Sequence, residues 1–497
     1  MSTMKLWGGR FESGPSEAFQ RFSWSLHFDK RFLEADIRGS QAFARELARV
    51  GILSPADRDE LIGAFDAILA DAAQPSFYEG AEDEDVHTLV IRKLKERTAL
   101  ADKIHTGRSR NEQVSLDARL WLRGEIDHTL ALLADFAARR NIPIVETQAG
   151  KGATAWEHPM NFGSPGTTGS ACGNAACAAA DLVIGVGTRF QDFTTGSWTV
   201  FANPERRLTS INVTGYDALK HGALGVVGDA KVTLEKIDAA LGDTRFDAAD
   251  AQARKDWHAA VANVTAAPAK DANKLPSDSQ VIGAVQRTAT ENTVAMCAAG
   301  TMPGALQVLW QAAKGGYHME YGFSCMGYEV AGAMGIKLAT PEKEVICFVG
   351  DGSYMMANSE LATAVMRRVP FTIVLTDNRG YGCINRLQQA CGGAEFNNMY
   401  KDSNVEVQPE IDFVAHAASM GAHAEKASDI ADLEAKIVAA RGRAVPSVIV
   451  IDTEAVSGAG AGGHWWDVAV PQAGGPERLE KARKTYRANA ALQRVFD

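Results

Sequence analysis

EVICFVGDGSYMMANSELATAVMRRVPFTIVLTDN, residues 344–378, is the stretch whose reading decides the fold. EVICFV is a β-branched, apolar run of strand length, and it ends in Gly350-Asp351-Gly352-Ser353. SELATAVMRR (359–368) has a helical pattern, and FTIVLT (371–376) is a second strand ending at Asp377-Asn378. Two neighbouring parallel strands need a crossover of about a dozen residues or more, usually helical, and this spacing supplies one. Ligands of such sheets bind beyond the carboxyl ends of the strands. Asp351 and Asn378 are therefore predicted at one rim. A carboxylate and an amide oxygen there suit a hard octahedral cation such as magnesium, completed by phosphate oxygens and water. The glycines let the backbone approach a diphosphate, and the following helix start offers free N–H groups. A Gly-Asp-Gly alone is more often an ordinary strand-to-helix turn; strand, crossover, second strand and Asn in register reverse that preference and favour the cation.

The same rhythm extends outward. TVAMCAAG (293–300) and SVIVIDTE (447–454) are further strand candidates, so residues 277–456 form one α/β domain. IPIVET (142–147), DLVIGVG (181–187), SINVT (210–214) and GVVGD (225–229) form a smaller α/β domain over 138–245. The composition between them, 246–276, shifts to Ala, Asp, Lys and Pro, which predicts a helix and a linker. SGAGAGG (457–463) and a charged helical tail (477–494) close the chain. DLVIGVGTR invites a dinucleotide reading through its G-x-G, but it lacks the third glycine and a fitting acidic partner.

Residues 1–137 break the pattern. Apolar residues recur at helical spacing from Arg31 to Ala72, with Ser54-Pro55 marking a helix start; further helices cover Asp85 to Arg97 and about Asn111 to Ala137. No strand is expected there. The seam lies near Ala138.

Composition sets the outer bounds. A chain of 497 residues holds roughly two to four domains. The net charge of -10 argues against a general nucleic-acid or anionic-membrane binder. No apolar run reaches membrane-spanning length, and the opening MSTMKLWGGRFESG lacks the apolar core of a signal peptide, so a cytoplasmic location is expected. Seven cysteines, an odd set with no C-x-x-C pair, predict reduced thiols rather than a disulfide framework or a zinc site.

YHMEYGFSCMGYEVAGAMGIKLA (317–339), VGDGSYMMANSELATA (349–364) and DNRGYGCINRLQ (377–388) resemble the trihydroxycyclohexanedione hydrolases of inositol catabolism, a family of thiamin-diphosphate enzymes. IPIVETQAGKGA (142–153), ADLVIGVGTRFQDFTTGSW (180–198) and HWWDVAVP (464–471) agree with it. The resemblance implies α/β middle and diphosphate-binding domains, parallel sheets flanked by helices. It also implies magnesium held by Asp351, Asn378 and a backbone carbonyl near Gly380, with Gly350, Gly352 and Ser353 against the diphosphate. Met326 would prop the cofactor in its bent conformation, a role compatible with a plain core methionine. Tyr381 would contact the cofactor, with Cys383 and Asn385 along the pocket. The implied reaction opens a small cyclic diketone, with the protein supplying orientation and protonation control. Such enzymes are dimers or tetramers, and they carry a further domain whose glutamate activates the cofactor. That domain is not recognisable here, and no residue, Glu82, Glu84 and Asp85 included, takes the glutamate's place.

KLWGGRF (5–11), FDKRFLEADIRGSQA (28–42), EDVH (84–87) and HTGRSRNEQV (105–114) resemble the opening part of argininosuccinate lyases. The resemblance implies an all-α segment in which Ser25, Ser109 and Asn111 contact a carboxylate-bearing substrate; Glu112 departs from the usual Asp. The family's catalytic Gly-Ser-Ser-x-Met-Pro loop and its Thr-His pair are not found. Three readings follow: a thiamin-diphosphate hydrolase, whole or impaired; a lyase; or a non-catalytic chimera that at most binds cofactor.

Overall fold

The computed structural model describes residues 16–268, 274–320, 322–455, 458–470 and 477–493; KLWGGRF (5–11) lies outside them. The chain divides into two compact units, Met1–Ala131 and Leu132–Asp497.

The first unit is helical, with no strand among its described residues. Ser54 caps the helix Pro55–Asp71, its Oγ accepting from the Asp57 N–H at 3.1 Å, and Asp85 caps Val86–Lys95 by accepting from the Thr88 N–H at 2.8 Å. Such side chains satisfy the free N–H groups of a first turn. Leu33, Ile37, Ala44 and Leu47 lie along one face of the helix Leu33–Arg49. They pack with Leu61, Phe65 and Ile68 and with Leu89, Val90 and Leu94 in one buried cluster. Spacings of three and four residues put these side chains on single helical stripes.

The second unit holds two parallel sheets. The smaller comprises β1 (Leu182–Val186), β2 (Arg207–Asn212) and β3 (Leu224–Val227), in that order. The larger comprises β4 (Thr293–Cys297), β5 (Tyr317–Met319), β6 (Glu344–Gly350), β7 (Thr372–Asp377), β8 (His423–Ala427) and β9 (Ser447–Asp452). Its order is β5-β4-β6-β7-β9-β8. On β6, Ile346 and Phe348 enter one buried cluster with Leu306, Trp310 and Ile437, whereas Val345, Cys347 and Val349 enter the other with Tyr354 and Phe413. The strand alternation thus covers both faces with helices, the arrangement that makes central parallel strands continuously apolar.

Several expectations change. IPIVET (142–147) is not a sheet strand: its N–H and C=O groups turn to residues 160–163, leaving one parallel bridge, Ile144 with Asn161. The crossover between β6 and β7 is two helices, Asp351–Met356 and Glu360–Met366, interrupted at residues 357–359. β5 and β8 were not anticipated; they are the edge strands of the larger sheet, one only three residues long and the other carrying His423, Glu425 and Lys426.

The seam falls within the helix Arg110–Arg140, which runs through Ala138 unbroken. It ends where Asn141 adopts a left-handed conformation (φ 57°) and the Ile142 N–H returns to the Ala137 carbonyl at 3.0 Å. Asn is among the few residues that tolerate that cap. Arg140, 3% exposed, donates to Asp238 Oδ1 at 2.6 Å and to the Thr244 carbonyl at 2.8 Å.

Candidate active site

β6 and β7 pair in parallel, with Gly350 opposite Thr376, so their carboxyl ends open side by side. Asp351 follows β6 directly and is 1% exposed. One of its oxygens, Oδ2, accepts from the Gly380 N–H at 2.9 Å. The other, Oδ1, is buried with no hydrogen-bond partner, and so is Oδ1 of Asn378, just past β7. Two buried acceptors without donors, one anionic and one neutral, are the arrangement a divalent cation satisfies. Asp351 forms no ion pair among the described residues. Burial, reinforced by the Asp377 charge, pushes its carboxyl up to about 7. A bound cation acts in the opposite direction.

The surrounding backbone is shaped for close approach. Gly380 has φ 148°, and a Cβ there would lie 2.5 Å from the Asn398 carbonyl oxygen. A Cβ on Gly352 would lie 2.7 Å from the Tyr381 ring, whereas Gly350 faces open space. Met326 and Tyr381 are exposed, at 36% and 41%. Ser353 is buried, and its hydroxyl is turned to Glu329 at 2.8 Å. Asn385 is buried, donating to Glu395 Oε1 at 3.0 Å while its own Oδ1 lacks a partner; Cys383 is half-buried. Glu329 is a residue that sequence reading missed. Its only signal was an acid within the first turn of the apolar helix Tyr328–Ala339.

Residues 298–451 match the thiamine pyrophosphate enzyme C-terminal TPP binding domain, and residues 124–237 match the thiamine pyrophosphate enzyme central domain. A 3D-(3,5/4)-trihydroxycyclohexane-1,2-dione hydrolase of Bacillus thuringiensis (strain Al Hakam) is 32% identical over 441 residues, covering 82% of this chain and 68% of the relative. The chain belongs to the thiamine pyrophosphate enzymes. Proteins of the same name from Geobacillus thermodenitrificans (strain NG80-2) and Clostridium perfringens (strain ATCC 13124) are each 35% identical, over 73% and 71% of this chain. The chain spans 61% and 60% of the length of those two relatives. Residues 9–139 match a different model, described as Lyase, which overlaps the central-domain match over 124–139. The chimeric reading of the sequence is thereby supported, and the shared residues all lie in the helix Arg110–Arg140.

Within the lyase-like unit, the Ser25 N–H donates to the Glu84 carbonyl at 2.8 Å, and its hydroxyl donates to Asp29 Oδ2 at 2.6 Å. Arg110 bonds Asp85, so Ser25 and the start of the long helix meet the same turn, 84–88. Ser109 and Asn111 are exposed, and the Ser109 Oγ accepts from the Asn111 N–H at 3.2 Å. Beneath this turn lies a buried polar cluster. Asp36 Oδ2 bonds His87 Nδ1 at 2.7 Å, and Gln113 Nε2 donates to the Asp36 carbonyl at 3.0 Å. Burial, then the adjoining Asp36 charge, pushes the Asp117 carboxyl up to about 8. Burial and His87 bring His105 down to about 4. No helix among the described residues is long and apolar enough to cross a membrane.

Proposed function

We propose that residues 138–497 carry a thiamin-diphosphate- and magnesium-dependent carbon–carbon hydrolase site for a cyclic 1,2-diketone of the trihydroxycyclohexane-1,2-dione type, acting in myo-inositol catabolism in the cytoplasm. The observation that carries this reading is the pair of buried, partnerless oxygens on Asp351 and Asn378 beyond adjacent strands. The names of the relatives support the substrate class. In this reading the shortened middle domain covers 138–245, the diphosphate domain 277–456, and the closing Gly-rich loop and tail 457–497.

Asp351 contributes charge to the magnesium ion, Asn378 a neutral oxygen, and the Gly380 carbonyl a third protein ligand. The Gly380 N–H fixes Asp351 so that one carboxylate oxygen stays free for the metal. Gly350, Gly352 and Ser353 form the diphosphate wall, Met326 props the bent cofactor, and Tyr381, Cys383 and Asn385 line the approach. Thiamin diphosphate, when bound, supplies a carbanion that adds to a carbonyl and accepts electrons as a carbon–carbon bond breaks. The expected partner is the small diketone, with no nucleic acid and no membrane, and a homodimer or homotetramer is the expected assembly.

Turnover by this chain alone is proposed to be weak or nil, since none of residues 1–137 is assigned the role of the activating glutamate. Titrating thiamin diphosphate and magnesium into the protein tests the site. Saturable binding that Asp351→Ala abolishes supports it; no binding, or binding unchanged in that variant, rejects it. A second reading, argininosuccinate lyase, draws on the lyase match and on the polar turn shared by Ser25 and Arg110. Release of fumarate from argininosuccinate above background would favour it.

A further inference from the structure

We infer that Glu329 is a positioning residue for the cofactor, a buried carboxylate that ties Met326 and the Gly352-Ser353 turn into one unit. The inference rests on the cofactor reading above. Glu329 is the second residue of the helix Tyr328–Ala339 and is 1% exposed. Its Oε1 accepts from the Ser353 hydroxyl at 2.8 Å and from the Ala299 N–H at 3.3 Å. Its Oε2 accepts from the Gly327 N–H at 2.9 Å and lies 2.8 Å from the same Ser353 hydroxyl. The Gly327 N–H also reaches Ser353 Oγ at 2.9 Å. Three segments are thereby held at one point: the exit of β4 at Ala299, the residue after Met326, and the residue after Gly352.

Charge makes this more than packing. No cation pairs with Glu329 among the described residues, and an unpaired carboxylate is costly to bury unless donors surround it. Burial accordingly raises its pKa. Yet every group around it is a donor, two backbone N–H and one hydroxyl, which matches an acceptor-only carboxylate and not an amide. Gln would turn an NH2 against one of those donors. Asp351, by contrast, is fixed by Gly380, independently of Glu329. Loss of Glu329 should therefore loosen the hold on the organic cofactor without altering the metal ligands.

The test is calorimetric titration of thiamin diphosphate into the full chain, at saturating magnesium, for wild type, Glu329→Gln, Ser353→Ala and the double variant. Glu329→Gln is expected to weaken thiamin diphosphate about tenfold, with half-saturating magnesium at saturating cofactor kept within about twofold. A merely loosened domain would raise both constants together. The double variant is expected to be no weaker than Glu329→Gln, because the two side chains act through one contact. Unchanged affinity in Glu329→Gln, a parallel rise in both constants, or additive losses in the double variant each overturn the inference. Should Glu329→Gln fail to fold, Glu329→Asp takes its place, its carboxylate set back by one methylene: a loss of about threefold or more with half-saturating magnesium unchanged supports the tie, and wild-type affinity rejects it. Wild-type protein that binds no thiamin diphosphate overturns the cofactor reading itself, and this inference with it.

Discussion

The Gly380 N–H donates to Asp351 Oδ2 at 2.9 Å, joining the turn after β7 to the residue that follows β6. That bond leaves one carboxylate oxygen buried and free, beside a strand end whose Asn378 oxygen is equally free. The turn after β7 is thus tied to the residue that follows β6 by a single backbone N–H.

Asn378 should matter through its oxygen. Asn378→Ala is expected to weaken magnesium-dependent binding of thiamin diphosphate by about 10–100-fold, with the far-ultraviolet circular dichroism spectrum unchanged. Calorimetric titration at fixed cofactor and varied magnesium measures it. Equal affinity would remove Asn378 from the ligand set.

Gly380→Ala should disturb both the fold and the site. The residue sits at φ 148°, and a Cβ would press on the Asn398 carbonyl oxygen at 2.5 Å. A cost of about 1–3 kcal/mol is expected in denaturant unfolding, together with weaker metal binding as the N–H to Asp351 shifts.

The pH response of the lyase-like unit should expose the Asp117 carboxyl. Its native value of about 8 lies above the ordinary 3.8, so between these limits the folded chain holds one more proton than the unfolded chain. Stability from this group is therefore greatest in acid and falls as pH rises, with the loss complete above about 8. His105, brought down from 6.5 to about 4, acts oppositely below pH 6.5, which makes pH 6.5–8 the cleanest window. Asp117→Asn should flatten the curve there, removing a fall of about 2 kcal/mol between pH 6.5 and 8, read by chemical unfolding.

Arg140 should anchor the end of the long helix. Arg140→Ala removes the bonds to Asp238 and to the Thr244 carbonyl, and the thermal midpoint of Leu132–Asp497 should fall by several degrees. Arg139→Ala, which removes an exposed guanidinium paired with the exposed Asp135 and leaves Arg140 on Asp238, should leave the midpoint within error. Differential scanning calorimetry compares the two.

The helices, the central strands and the Asp351–Asn378 pairing were legible because each is local: a periodic stripe, an apolar run, a crossover of the right length. What escaped is non-local. Residues 142–147 look like a strand, but their backbone partners lie at 160–163 instead of in a sheet. Glu329 lies 24 residues from Ser353, and Asp36 lies 51 from His87, distances over which no periodicity connects the partners. The edge strands β5 and β8 are short or polar, so nothing in their composition separates them from loops.

The unbroken helix Arg110–Arg140 lets two family patterns meet on one backbone. Within a helix each amide finds its acceptor four positions back, whichever lineage supplied the letters, so a splice there demands no new turn chemistry. Active sites gathered from distant segments enjoy no such tolerance.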